Sequence, residues 1–323
     1  MKVWQKLCSQ CGKLLMQAGL VAGAVGLLTF AMARALPGDA AYRIAAGRYG
    51  YDIVDTAVAE AVRHELRLDR PAMEQLLGWV GDLLRLRLGN SQVSGDPVLE
   101  ELGHQLGHTL QLSLTAWVLA LTAGVFLGGW VALRGAHWST RWVDVLCTVL
   151  RASPAFLLGV VLMLVLGVHL NWLPVAGHGE AVHLVLPSLA LALTLLPGIT
   201  QVVRGRLQQV LASDAFEFAQ TKGMSMRAAL WRHALAPVAL GTAAYAGMQL
   251  VLLVEGVVVL ESLVAWPGIG HALVHAIVSR DVPMIQGTAL AMGLLFVLVN
   301  GGMEALVQWL DPRLRESTLR AVP

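Results

Sequence analysis

Two histidine pairs in this chain are spaced i, i+4: His104/His108 and His271/His275. That spacing brings both imidazoles to one face of a helix, as neighbouring metal ligands require. The chain has ten histidines, enough for such pairs to arise by chance, so no metal site is expected and these four stand only as candidates. Cys8 and Cys11 have C-x-x-C spacing, but a lone thiol pair reads as reduced and ordinary, and Cys147 as a small packing residue. His64-Glu65 lacks the second histidine of H-E-x-x-H. No G-x-S-x-G elbow and no G-x-x-x-x-G-K-[ST] phosphate loop occurs. The sequence thus offers no catalytic constellation, and ATP and magnesium are not expected on this chain.

Four ionisable residues lie within or beside long apolar runs: Asp144, Arg151, Glu255 and Glu261. Ionisable groups at membrane depth are functional suspects by default. Arg151 precedes Ser153-Pro154, where a kink is expected. Glu255 and Glu261 have two readings: they pair with Arg280 or with backbone to hold a gate region, or they line a polar pathway.

The elements that must position these residues follow from composition. Of 323 residues, 56% are hydrophobic and 14% charged, with net charge +2 and mean hydropathy +0.65. A soluble domain carries about 25% charged residues. So few charges cannot cover a soluble surface, and the small net charge does not point to nucleic acid. What remains is an all-α integral membrane protein. A span needs roughly 20 mostly apolar residues. Runs at 14–33, 109–133, 142–168, 181–203, 233–254 and 282–303 predict six transmembrane helices. The first, within 14–36, has a basic start but no clean small-x-small site after it, so it reads as an uncleaved helix.

Orientation follows from Lys and Arg. With the N-terminus inside, segments 1–13, 134–141, 204–232 and 311–323 are cytoplasmic and hold 13 of the 23 basic residues, including every lysine. Segment 37–107 is then outside, and both termini are cytoplasmic. Within 37–107, residues 56–68 and 72–88 read as amphipathic helices broken by Asp69-Arg70-Pro71. The segment is either a cap folded against the spans or a docking surface. On the inner side, 207–222 reads as one helix, Gly223 breaks it, and Ser225 caps a second helix from Met226 to Leu235. Such an element can act as a lever. Residues 261–285, with Trp266, Pro267, Gly268, Arg280 and Asp281, predict a short outer helix partly dipping into the bundle. The remaining span-bearing core is 108–310.

At this lever the chain starts to resemble a known family. Glu217-Phe218-Ala219-Gln220-Thr221-Lys222-Gly223 is similar to the E-A-A-x-x-x-G loop of ABC importer permeases. Asp214, Ala219, Lys222, Gly223, His233, Ala234 and Leu235 match the pattern of the oligopeptide/dipeptide/nickel subfamily. Residues 261–270 resemble its E-x-x-F-x-W-P-G-L-G, 280–287 its R-D-Y-P-V-V-Q-G, and 310–315 its L-D-P-R-I-R. Pro37-Gly38-Asp39, Leu68-Asp69-Arg70-Pro71 and Leu88-Gly89-Asn90-Ser91 resemble P-G-D-P, L-D-x-P and L-G-x-S. Phe218 departs from the first Ala of E-A-A, Ala236 from a proline, and tyrosines are missing after Asp214 and Asp281.

The resemblance implies a type I ABC importer permease in a bacterial cytoplasmic membrane. It would form half of a translocation pathway with a second, homologous permease. Two ATP-binding subunits, carrying ATP and Mg, would sit below, and an extracytoplasmic solute-binding protein would dock above. Asp214, Glu217, Ala219, Lys222, Gly223 and Ser225 would couple to an ATPase. Arg151, Glu255, Glu261, Trp266, Pro267, Gly268, Arg280 and Asp281 are the pathway or gate candidates. Substrates of the subfamily are di- and oligopeptides, ranked first here, and nickel or metal chelates. The alternative is a self-sufficient channel or secondary transporter, which would favour paired half-helices and a midplane ion site; the sequence shows neither.

Overall fold

The computed structural model describes residues 2–310 apart from 36, 67, 86 and 136. The described residues are overwhelmingly helical, with a single isolated bridge between Asn90 and Pro97. The helices are α1 (Lys2–Ala35), α2 (Ala40–Tyr49), α3 (Thr56–Glu65), α4 (Ala72–Leu84), α5 (Val98–Arg134), α6 (Trp138–Ala152) and α7 (Ala155–Leu162). They continue with α8 (Ala181–Leu211), α9 (Asp214–Thr221), α10 (Met226–Ala229), α11 (Leu235–Gly256), α12 (Val258–Leu263), α13 (Ile269–Ser279) and α14 (Val282–Leu310). Two π-helical segments, Met163–His169 and Leu230–Ala234, extend α7 and α10. The chain forms two compact units, residues 1–109 with 265–298 and residues 110–264 with 299–323.

Among the described residues, four helices are long and apolar enough to cross a membrane: α1 through Leu14–Met32, α5, α8, and α14 through Val282–Met303. The stretch 142–168 does not form one straight span. It is broken at Ser153-Pro154 by a bend of 109° between α6 and α7. Proline lacks the N–H that would continue the helix, and it disfavours helical geometry at the residue before it; Ser153 is extended, with ψ 123°. The stretch 233–254 falls in the end of the π-helical segment and in the 22-residue α11; the side chains of 251, 252 and 254–256 lie outside the described residues.

In the second unit, α8 is the packing hub. It touches α6, α7 and α11, and 61% of its most apolar window is buried. Gly124 and Gly128 of α5 let that helix approach α8 closely. A Cβ at Gly124 would lie 2.7 Å from Ile199 Cγ2, and one at Gly128 2.5 Å from the Thr200 carbonyl. Small residues four apart let membrane helices meet backbone to backbone. Trp117 of α5 also donates to the Ala246 carbonyl of α11 at 2.7 Å.

The first unit builds a core under the 37–97 segment. Asp39 caps α2 through the Ala41 amide, and Asp55 caps α3 through the Val58 amide. Ile44, Ala45, Ala46, Val54 and Val62 then close a small apolar cluster. A second cluster joins Val98 and Leu102 to Ile269, Ala276, Met284 and Ile285.

Candidate functional site

The helix–turn–helix expected at 207–235 is present, with different joints. Helix α8 stops at Leu211, where the Ser213 hydroxyl donates to the Val210 carbonyl at 2.6 Å and Ala212 and Ser213 break the run. A separate short helix, α9, follows, so 207–222 is not one helix. Gly223 ends α9 with φ +85°. Nothing in the chain lies within 4 Å of a Cβ built on Gly223, so its dihedral, not its lack of a side chain, is what this turn needs. Ser225 accepts from the Ala228 amide at 3.3 Å and caps α10. The second helix does not end near Leu235. Its π-helical turn runs into α11, with Pro237 just inside.

Burial divides this element into two faces. Phe216, Ala219, Ala229 and Ala234 are buried, and Ala234 joins Ala132 and Leu207 in one apolar cluster. The other face is open. Asp214, Glu217, Lys222, Ser225, Met226, Arg227 and Arg232 are exposed, as are Phe218 at 60% and Trp231 at 73%. The Lys222 ammonium lies 4.5 Å from the centre of the Phe218 ring. Of the six expected coupling residues, Ala219 therefore packs inward and the other five lie on the open face.

The outer motifs meet in the first unit. Asp281 is buried and accepts from the Ser91 hydroxyl, from the Gln92 amide at 3.1 Å and from the Val93 amide at 3.3 Å. It also caps α14 through the Met284 amide at 3.3 Å. Arg280, in the left-handed region with φ 57°, donates to the carbonyls of Pro37 and Gly38, the latter at 2.7 Å. Arg280 is thus bonded to backbone at the end of the first segment. Glu261 is fully buried in α12 with partners of its own, while the Glu255 side chain lies outside the described residues.

Trp266 is buried, donates to the His108 carbonyl at 3.1 Å, and meets the His108 ring edge-on at 5.8 Å. Gly268, which precedes α13, makes the Pro267-Gly268 turn, and the Ile269 amide donates to the Thr109 hydroxyl at 2.8 Å. His104 is exposed, and His271 and His275 stack at 4.5 Å. No group of three or more His, Cys, Asp or Glu able to hold a metal occurs among the described residues. Arg151 is exposed at the end of α6, apart from these contacts, while Asp144 pairs with Arg204 of α8 at 2.5 Å. The side chains of Cys8 and Cys11, and residues 311–315 of the L-D-P-R-L-R stretch, lie outside the described residues.

Two features were missed from sequence. The G-x-x-x-G of Gly124 and Gly128 was readable as a motif. The bonded pair Tyr245 and Gln249 in α11 is uncharged and carries no spacing signal that sets it apart within an apolar run.

An all-α chain with several membrane-length helices and an exposed helix–turn–helix between two of them has the architecture of a transport permease. Residues 124–316 match the family described as binding-protein-dependent transport system inner membrane component. A Brucella abortus protein described as a peptide transport system permease is 32% identical over 299 residues, 90% of this chain and 94% of its own length. The glutathione transport system permease protein GsiC of an Escherichia coli O6:H1 strain is 33% identical over 295 residues, with coverage of 90% and 94%. A solved amino acid ABC transporter aligns over 67% of this chain and 94% of its own, at 18% identity and a TM-score of 0.49. The chain belongs to the binding-protein-dependent transport system inner membrane component family. It is a multi-pass permease subunit of an ABC importer, working with ATP-binding and substrate-binding partners.

Proposed function

We propose that this chain, with a second homologous permease, forms the translocation pathway of an ATP-driven importer of di- and oligopeptides. Relatives named for peptide and glutathione transport, the latter substrate itself a small peptide, support that choice. The proposed topology has six spans with both termini, and the α9–α10 element, in the cytoplasm. Two ATP-binding subunits carry ATP and Mg below, the chain has no ATPase site of its own, and a solute-binding protein delivers peptide from outside.

The observation that carries this reading is the two-faced lever. Its inner face is anchored by Phe216 and Ala234, and its outer face offers Phe218, Met226 and Trp231 among charges. That outer face fits a groove of an ATP-binding subunit. The element leaves α8 through only Ala212 and Ser213 and enters α11 without a break, so moving it moves both helices. ATP-driven closure then favours one conformation because the contacts differ between the two states. Inside, the Tyr245–Gln249 pair and the Thr242 hydroxyl, buried without a partner, are uncharged polar groups able to bind a peptide backbone weakly.

The test is purification from the native membrane in mild detergent, followed by reconstitution with the subunits that come with it. ATP-dependent uptake of a labelled dipeptide is expected with the binding protein present. Gly223→Pro should abolish it while the chain stays in the membrane, because proline cannot adopt φ +85°. Uptake by the chain alone without ATP would refute the reading and favour a secondary transporter.

A further inference from the structure

We propose that α4 is an interfacial helix, lying in the headgroup–acyl boundary of the lipid leaflet that meets the C-terminal end of α1. The neighbouring helix α3 sets the contrast. Both were expected to be amphipathic, and α3 buries its apolar side, Ala59 and Val62, in the unit's own core. Helix α4 does the reverse. Met73 and Leu77 are each 64% exposed, and Val80 is exposed beside them. At 3.6 residues per turn these three fall on one face.

The opposite face is polar. Glu74, Gln75 and Asp82 line a cavity of ≈ 400 Å³ together with Arg70 and Arg87. The buried Gln286 amide also borders that cavity and its Nε2 has no partner. The charges on that side face this polar cavity, which leaves the apolar face as the part of α4 that needs cover.

Depth names the cover. A Cβ at Gly26 of α1 would run into the Trp79 indole, so α4 rests on α1 at that level. Gly26 lies six residues before Met32, the end of the apolar stretch of α1. At 1.5 Å per residue that is about 9 Å inside the end of the stretch, within the roughly 5–10 Å to which interfacial helices insert. Leu27, Leu28 and Met32 of α1 are exposed at the same level and need lipid. A bilayer that covers them reaches α4 as well. Tryptophan at this depth is the usual belt residue. The face formed by Met73, Leu77 and Val80 carries no charge, so a lipid surface fits it better than a soluble protein with a polar rim.

The experiment attaches a nitroxide at Met73→Cys, Leu77→Cys or Glu74→Cys in the full chain, with Cys8→Ser, Cys11→Ser and Cys147→Ala, in vesicles of phosphatidylethanolamine and phosphatidylglycerol. Collision with oxygen and with a water-soluble nickel chelate is measured by electron paramagnetic resonance. At positions 73 and 77 oxygen should dominate, and at 74 the chelate. Adding Leu77→Asp, at an exposed position that the fold tolerates, should raise chelate access at 73. Chelate dominance at 73 and 77 would overturn the proposal. So would protection that appears only when a solute-binding protein is added, which would make the face a protein-docking surface.

Discussion

The Ser91 hydroxyl donates to the carboxylate of Asp281, 190 positions later in the chain. Around this bond three sequence fragments converge. Pro37-Gly38 gives its carbonyls to Arg280, Ser91 and the two amides after it give protons to Asp281, and Asp281 opens α14. Asp39, next in line, caps α2 and pairs with Arg63 of α3 at 2.6 Å. One Arg-Asp dipeptide thus ties the end of α1, the 91–95 turn and the start of α14 into one frame.

Removing the carboxylate should show what that frame is worth. Asp281→Ala strands a buried hydroxyl and several amide donors, and each buried, unmet donor costs about 1–3 kcal/mol. A net loss of about 3 kcal/mol or more is expected, with faster proteolysis at the exposed Ser94-Gly95 turn. Asp281→Asn, which keeps one acceptor oxygen, should lose less. Thermal unfolding and limited digestion with a protease of broad specificity, such as proteinase K, in detergent measure both. Equal stability of Asp281→Ala and wild type would show that the contacts are incidental.

The α5–α8 crossing makes a sharper steric prediction. Gly128→Val would place its Cβ 2.5 Å from the Thr200 carbonyl and 2.8 Å from Val203 Cβ. Backbone cannot move aside as a flexible side chain can, so a loss of at least about 1–3 kcal/mol is expected. Gly129→Ala is the control, because nothing lies within 4 Å of its Cβ. It should be neutral or slightly stabilising, since alanine favours a helix over glycine. Membrane abundance and melting temperature compare the two, and equal behaviour would refute the close crossing.

How far the sequence reached differs by element. Charge-free runs reveal long apolar helices because the bilayer demands them. Pro154 marked a kink but not its 109° size, since hydropathy carries no direction and proline alone does not say how far a helix turns. Gly223 and Ser225 were legible as a break and a cap because their roles are local. The break at Ala212-Ser213 was not, because neither residue forbids helix and tertiary packing decides. Arg280 was one of the partners left open for Glu255 and Glu261, and its bonds to carbonyls 242 and 243 positions away were not legible. No local pattern encodes that. The amphipathic pattern of α4 was visible, whereas which of its sides faced the protein was not.

His271 predicts a pH dependence. Burial first, and the neighbouring His275 second, hold its imidazole below the usual 6.5. The unfolded chain therefore binds this proton at a higher pH than the folded one. The sign follows: the stability linked to neutral His271 is complete above the unfolded value and drains away as pH falls below it. Melting temperature should drop between about pH 7.5 and pH 5, and the drop should be smaller in His271→Gln. The difference between the two profiles, and not either profile alone, is the measurement. Parallel profiles would remove His271 as the cause.

Cysteine labelling tests the orientation. Ser94 and Gln220 are both exposed, one in the 91–95 turn and one in α9. In spheroplasts a membrane-impermeant maleimide should label Ser94→Cys directly, and Gln220→Cys only after permeabilisation. The reverse pattern would invert the topology and put the lever on the wrong side for an ATPase.

The exposed aromatics of the lever separate folding from coupling. Phe218 and Trp231 contribute little to the chain's own core, so truncating them should leave its melting temperature nearly unchanged. If they anchor an ATP-binding subunit, they are the residue type that dominates an interface, worth about 2 kcal/mol or more each. Phe218→Ala and Trp231→Ala should then weaken subunit association by more than about tenfold and lower ATP-driven uptake with it. Lys222, seated over the Phe218 ring, gives a graded case. Lys222→Ala removes one cation from the open face and keeps the aromatic, so a smaller loss that shrinks as ionic strength rises is expected. Association is read by co-purification at fixed subunit ratio, and folding by melting of the isolated chain. A fall in melting temperature with unchanged association would make both aromatics structural and move the docking surface elsewhere.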